Sequence, residues 1–320
     1  MISFNYSNAP DLLFWQGIRK FFDNYYLMCG TDKNKQGVFN IGPLLNYNSA
    51  NNYTISYPES ITTSVYGPNY IGSSFYSLVG SYKKLSDDIV YGFYFEGKLS
   101  DVNNAQNYKT ISTGATYTYI HSTMGDILVG NYDKNTESPI SAFLMIISTG
   151  KKIKIEYPGS TSNTVYGIWH NGGPRYTLCG GYSTDSVPGK DIYKNNQQIP
   201  IGKAYMVNYD IEKNKFRNWT TFKYPHSKNS LVTHFEGISS SKPNVYELAA
   251  DTVNGILQAS WVRVIKDKCG NFTVTQWIDY KYPLPGTITT SNSVANKALV
   301  GSYINESGDA IAYQAELTFA

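Results

Sequence analysis

Leu78-Val79-Gly80-Ser81-Tyr82 is the stretch that decides the fold, because close variants of it return along the whole chain. They are Met28-Cys29-Gly30-Thr31, Leu128-Val129-Gly130-Asn131-Tyr132, Leu178-Cys179-Gly180-Gly181-Tyr182, Leu248-Ala249-Ala250-Asp251-Thr252 and Leu299-Val300-Gly301-Ser302-Tyr303. The small third residue recurs at intervals of 50, 50, 50, 70 and 51. Passing from Gly301 through the two ends of the chain to Gly30 gives a sixth interval of about 50. The 320 residues therefore read as six units, one of them carrying a 20-residue insertion over 183–202.

Three more strand-like runs accompany the motif in each unit. A first run ends in a Gly-Ile-like step: Trp15-Gln16-Gly17-Ile18, Val65-Tyr66-Gly67-Pro68, Val165-Tyr166-Gly167-Ile168, Phe235-Glu236-Gly237-Ile238 and Ser291-Asn292-Ser293-Val294. In the third unit Tyr117-Thr118-Tyr119-Ile120 fills this place. A third run pairs a small with a large residue, as in Gly37-Val38, Gly92-Phe93 and Ala142-Phe143. A fourth alternates and often closes on Tyr-Pro, as in Tyr57-Pro58, Tyr157-Pro158, Tyr224-Pro225 and Tyr282-Pro283. The sixth unit ends after its third run, and Ile2-Ser3-Phe4-Asn5-Tyr6 at the other terminus has the missing alternation.

Four-stranded units repeated radially make a β-propeller, in which each sheet buries its faces against its neighbours. The expected fold is all-β: a six-bladed β-propeller closed by its N-terminal strand, which becomes the outer strand of the last blade. It forms one domain over 1–320, with blades at about 11–60, 61–113, 114–161, 162–229, 230–287, and 288–320 with 1–10. Two β-sandwiches would give neither a constant period nor an orphan N-terminal strand. Small residues in the second and third strands are expected to let neighbouring sheets approach.

Composition limits the function classes. With 41% hydrophobic and 16% charged residues the chain is no disordered polymer. Net charge is only +3 and Lys151-Lys152-Ile153-Lys154 is the sole basic run, so nucleic acid is not expected as a partner. No apolar run is long enough to span a membrane. The N-terminus has neither a basic region nor an apolar core, which makes the cytoplasm the expected compartment, or secretion if a leader was removed. Cys29, Cys179 and Cys269 are odd in number and widely spaced. Cys29 and Cys179 fall on opposite blades, too far apart for a disulfide. The four histidines sit on three blades, so neither a metal nor a cofactor is expected, and the chain reads as a monomer.

Candidate site residues follow from strand alternation. The residue before each Gly-Ile step, and the one two earlier, should face the central channel. The nearer set is Gln16, Tyr66, Thr118, Tyr166, Glu236 and Asn292; the farther set is Phe14, Ser64, Thr116, Thr164, His234 and Thr290. Glu236 and His234 share a side and form a candidate acid/base pair. Gln16, Tyr66, Tyr166 and Asn292 are candidates to hold a small polar ligand. A second candidate is the turn Trp169-His170-Asn171-Gly172-Gly173-Pro174-Arg175, which joins a stacking ring to an Arg and flexible glycines, a composition suited to a sugar or peptide. Arg19, Asn69 and His121 are expected in the corresponding turns of other blades. That turn should lie on the face opposite to the blade-to-blade loops, which in propellers usually form the binding face. The insertion, with Asp185, Lys190, Asp191 and Tyr193, is expected on the latter face, over the channel mouth.

Leu128-Val129-Gly130-Asn131-Tyr132 followed by Ala142-Phe143-Leu144 resembles the HAF-type repeats of bacterial β-propeller proteins. Gly167-Ile168, Val129-Gly130 and Ala142-Phe143 match their Gly-Ile, Val-Gly and Ala-Phe steps, while the His of the third step is absent from all six units. The resemblance implies the fold and no activity. The functional expectation is a binding module for a small polar molecule, a glycan or a protein at the channel face or the blade-four turn. The alternatives are a hydrolase or lyase on a carbohydrate-like substrate, with Glu236 and His234 at the channel mouth, and a structural scaffold.

Overall fold

The computed structural model describes residues 2–133, 140–190, 195–228, 230, 232–285 and 287–319, with backbone alone for 185–190 and 195–200. Six four-stranded antiparallel blades follow one another around an axis; blades two and three are linked into one eight-stranded sheet by a parallel bridge between Val90 and Tyr117. Blade one is Leu12–Phe22, Tyr25–Asp32, Gly37–Pro43 and Asn52–Ile55, from axis to rim. Blade two begins at Ser60–Gly72, blade three at Tyr117–Met124, blade four at Ser162–His170 and blade five at Val232–Lys242. Each adds three further strands outward. Blade six has its inner strand split into Ile288–Thr289 and Ser293–Ala295, followed by Ala298–Ile304 and Ala310–Phe319. Its outer strand is Ile2–Ala9, paired from Ile2 opposite Phe319 to Ala9 opposite Ala312. The ring is therefore closed by its own N-terminus, and the fold is the expected six-bladed propeller. Among the described residues no helix is long and apolar enough to cross a membrane.

The repeated glycines are explained by the inner strand. Trp15 pairs with Gly30 and Gly17 with Cys29, so Gln16 is left over as a β-bulge. The same bulge falls on Tyr66, Tyr166 and Glu236. A Cβ on Gly30, Gly80, Gly130, Gly180 or Gly301 would sit 1.9 to 2.3 Å from the carbonyl oxygen of the residue preceding its pair on the inner strand. These glycines thus admit their own blade's bulged backbone. Approach of the neighbouring sheet, the reason expected from sequence, belongs to other positions. A Cβ on Gly17 would meet Tyr66 O of the next blade at 2.2 Å, and one on Gly37 would meet Val65 Cγ2 at 2.6 Å.

Blade three corrects the sequence alignment. Ile120, not Tyr117, lies opposite Gly130, and the bulge falls on His121. Thr118 is buried, with its hydroxyl 2.9 Å from that of Thr113, and takes no place in the channel set. The shift was masked because Ser122 stands where four other blades have Gly. The insertion of blade four is not a structureless loop. It extends strands Arg175–Lys190 and Asn195–Asp210 as a ribbon, paired from Ser183–Gly202 to Lys190–Asn195. Asp191 and Tyr193 lie outside the described residues, as do the side chains of Asp185 and Lys190.

Apolar packing divides by interface. Leu27, Phe39, Val65 and Phe93 join blades one and two; Val129, Leu144, Val165 and Val207 join three and four. Every other seam has its own cluster. Three seams add a nearly parallel tyrosine stack: Tyr57 on Tyr82 at 3.6 Å, Tyr157 on Tyr182 at 3.7 Å and Tyr282 on Tyr303 at 3.9 Å. Each joins the Tyr-Pro step of one blade to the motif tyrosine of the next. Cys29 and Cys179 are buried free thiols and Cys269 is exposed and free.

Candidate functional site

A bulge redirects the side chain it carries, and here the bulged residues gather at the axis. Gln16, Tyr66, His121, Tyr166 and Glu236 line one small central cavity. His121 lies 5.2 Å from the Tyr66 ring and 4.7 Å from the Tyr166 ring. Asn292, the blade-six counterpart, spans a seam, its Nδ2 donating to Trp15 O at 2.7 Å. The channel candidates Gln16, Tyr66, Tyr166 and Glu236 are thus brought together, His121 joins them in place of Thr118, and Asn292 does not line the cavity. The free space they share is about 10 Å³, room for roughly one water molecule.

The channel is narrow because Arg19 crosses it. It belongs to the inner strand of blade one, not to a turn, and is 8% exposed. Nη1 donates to Ile238 O at 2.7 Å, and Nη2 to Ile168 O and Ser122 Oγ, both at 3.1 Å. One side chain therefore ties blade one to blades three, four and five. Burial lowers its pKa to about 10, so it stays charged at neutral pH.

On the blade-five wall His234 Nδ1 lies 3.7 Å from Glu236 Oε1. Sequence reasoning missed a third partner, Asp251, which faces His234 across the strand pair and accepts from Ser291 N at 2.7 Å. It stands just after the motif's small residue, Ala250, the signal that would have found it. Burial, reinforced by Asp251, pushes the Glu236 carboxyl well above its usual range; burial also raises Asp251 to about 7. Burial lowers His234 to about 4 and His121 to about 3. Both imidazoles are neutral at pH 7.

These shifts act on stability with opposite signs. The carboxyls hold protons more tightly in the fold than in the open chain. Their contribution is complete below the ordinary carboxylate range and is lost as pH rises toward 7. The imidazoles contribute fully above 6.5 and lose it as pH falls toward 4. Asp251→Asn isolates the first effect and keeps an acceptor for Ser291 N. It should melt above the native protein at pH 8 and level with it at pH 4. A gap independent of pH in thermal melts would contradict a titrating buried pair.

Three open spaces of about 370 to 410 Å³ lie on the face of the turns joining strands one to two and three to four, and one of about 300 Å³ lies on the blade-to-blade face, between Ile256, Gln258, Asp279 and Thr289. A funnel of about 370 Å³ sits over Arg19, walled by Phe21, Tyr70, Met124, Trp169 and Asn296. The Arg19 guanidinium lies 5.7 Å from the Trp169 ring. A groove of about 410 Å³ between blades four and five shares Trp169, Ser240 and Ser241 with the funnel. It brings His170, Asn171 and Arg175 together with Lys242 and Lys266. A third depression, of about 370 Å³, shares Arg175, Asn244 and Lys266 with the groove and runs to the rim. The three make one continuous track from axis to edge.

The predicted turn Trp169 to Arg175 is the wall of this track. Gly172 and Gly173 have φ of 88° and 57°, which glycine adopts without strain. His170 stacks on Tyr176 at 4.6 Å, its Nε2 2.8 Å from Gly173 O. Sequence reasoning also missed the charge. Lys151-Lys152-Ile153-Lys154 is not the main basic cluster, since turns of blades four and five bring Arg175, Lys213, Lys215, Arg217, Lys242, Lys266 and Lys268 to the track.

No family model and no curated protein matches the sequence. Among solved structures, a variant of the Aleuria aurantia lectin in complex with Fucα1-6GlcNAc superposes at 12% identity and TM-score 0.49, over 97% of each chain. A second structure of that fungal lectin, described as a six-bladed β-propeller with a novel fucose recognition mode, gives 12% and 0.47, over 96% of this chain and 93% of that one. The native Bacillus subtilis arabinanase gives 11% and 0.41, over 78% and 91%. At these identities and scores neither a ligand nor a reaction is carried over from them.

Proposed function

We propose that the chain is a glycan-binding module whose site is the track between blades four and five. The observation that carries this reading is Trp169. Its ring stands where the axial funnel meets a groove of about 410 Å³, a size suited to one or two sugar rings. Trp169 is half-buried; the part of its ring that lines the groove offers a stacking surface to the apolar face of a sugar, and Arg175 supplies a charge-assisted donor beside it. The HAF-type resemblance adds nothing here, because it implies a fold alone.

The test is a glycan array probed with the native chain, Trp169→Ala and Trp169→Phe. Trp169→Ala should weaken binding by about tenfold or more; it also loses packing against the core between blades four and five, so binding is compared well below the melting temperature of each chain. Trp169→Phe should retain part of the affinity. Equal binding by all three chains would remove the site from this groove.

A second reading, a hydrolase or lyase, is favoured by one observation: Glu236, its side chain only 19% exposed and 3.7 Å from His234 Nδ1, has its pKa raised by burial, as a general acid requires. The cavity beside it admits about one water molecule. This reading therefore predicts turnover only of a substrate reaching the axis from outside, abolished by Glu236→Gln. The binding reading predicts that Glu236→Gln leaves glycan affinity unchanged.

A further inference from the structure

The polar groups of the track are unequally available. Among the neutral ones, most are already engaged by the fold. Asn171 donates to Thr177 Oγ1 at 2.9 Å and accepts from Tyr246 OH at 2.7 Å. Ser240 donates to Lys242 O and Ser241 to Glu247 Oε1. In the outer depression Asn208 donates to Gly270 O, and Asn218 to Cys269 O. The two acids are engaged as well. Asp210 accepts from Lys213 N at 3.0 Å and lies 3.6 Å from Lys213 Nζ; Asp267 accepts from both nitrogens of Asn271. What the track still offers is cationic. Among the described residues Arg175, Lys215, Arg217, Lys242, Lys266 and Lys268 have no carboxylate within ion-pair distance.

A neutral sugar is held by groups that both donate and accept toward its hydroxyls. A surface that mostly donates, and donates from positive charge, is complementary to carboxylate or sulfate. Building on the glycan-binding reading, we infer that the ligand class is an acidic polysaccharide, with carboxylated or sulfated sugars lying radially along the track. Arg175 and Lys266 belong to both outer depressions, so one charged residue of the ligand would meet cations from both blades. Single-stranded nucleic acid fits less well. Such sites stack successive bases on several exposed aromatic platforms, whereas the outer two depressions have half-buried Trp169 at one end and, beyond it, lysines beside Tyr176 and Tyr209, both of them buried.

The test measures binding of four probes: an oligogalacturonide, a heparin oligosaccharide, a neutral xylo-oligosaccharide and a short oligothymidylate. The chains are native, Arg175→Gln, Lys242→Gln with Lys266→Gln, and Trp169→Ala. The expected result is binding of at least one acidic glycan, weakened about tenfold for each cation removed. It should weaken further between about 0.05 and 0.2 M salt, and the neutral glycan should bind at least tenfold more weakly. Neutral and acidic glycans bound alike, with no effect of the glutamines, would overturn the acidic ligand and leave the glycan site standing. Oligothymidylate bound more tightly than either acidic glycan would overturn the ligand class. No glycan bound by the native chain would overturn both readings together.

Discussion

A chain lacking residues 1–8 is expected to unfold about 10 °C below the full-length protein, at a cost of about 4–6 kcal/mol. The strand Ile2–Ala9 is the outer edge of blade six, hydrogen-bonded to Ala310–Phe319, and runs directly on into the inner strand of blade one, so it clasps the last blade to the first. Its loss removes Phe4, stacked on Tyr280 at 4.8 Å, and Tyr6, edge-on to Tyr282 at 5.3 Å. Tyr6 OH also donates to Lys281 O at 2.8 Å, so the strand grips blade five as well as blade six. The truncated chain would expose the Ala310–Phe319 edge, with its row of unpaired backbone groups, to other molecules. Thermal melts and light scattering of the two chains are the measurement, and a synthetic peptide of residues 1–8 added in trans should restore part of the loss. Equal melting temperatures would refute the closure.

Arg19→Met should cost about 3–5 kcal/mol, the largest effect expected of a single side chain near the axis. Methionine fills most of the same volume and donates nothing. The carbonyls of Ile168 and Ile238 and the hydroxyl of Ser122 would then sit buried without the donors that now serve them. Each unsatisfied group costs about 1–3 kcal/mol, offset in part by no longer burying a charge. Arg19→Lys keeps the charge but cannot reach three acceptors on three blades at once, and should fall between the two. Denaturant unfolding of the three chains gives the order directly, and an Arg19→Met protein as stable as native would show that the guanidinium is not the axial tie.

The fold was legible because its main signal is a spacing, which survives substitution at single positions. Gly30, Gly80, Gly130, Gly180 and Gly301 could be aligned without knowing why they were glycine. The bulge that requires them has no residue signature of its own, since Gln16, Tyr66, His121, Tyr166, Glu236 and Asn292 share no chemistry. In blade three, where Ser122 replaces the expected glycine, the alignment slipped by three residues and His121 was read as a turn. Tyr66, Tyr166 and Glu236 were reachable by alternation alone; Arg19 was not, because its partners lie on three other blades. The cationic track was illegible for a similar reason. Lys213, Lys242 and Lys266 come from separate turns, and only the packing of blade four against blade five makes them neighbours.

The tyrosine stacks give the ring a second, coarser order. They occur at alternate seams, one to two, three to four and five to six. At the seam between four and five, Thr252 stands where the motif tyrosine would be. The tyrosine stacks therefore repeat with a period of two blades, while the seams between them are held by other means, such as the parallel bridge between Val90 and Tyr117 that joins blades two and three. The cationic track lies over a seam that replaces the tyrosine stack with hydrogen bonds, Tyr246 OH to Asn171 Oδ1, Asn208 Nδ2 to Gly270 O and Asn218 Nδ2 to Cys269 O, so a ligand seated there would bridge two blades already clasped to each other at the floor of its own site.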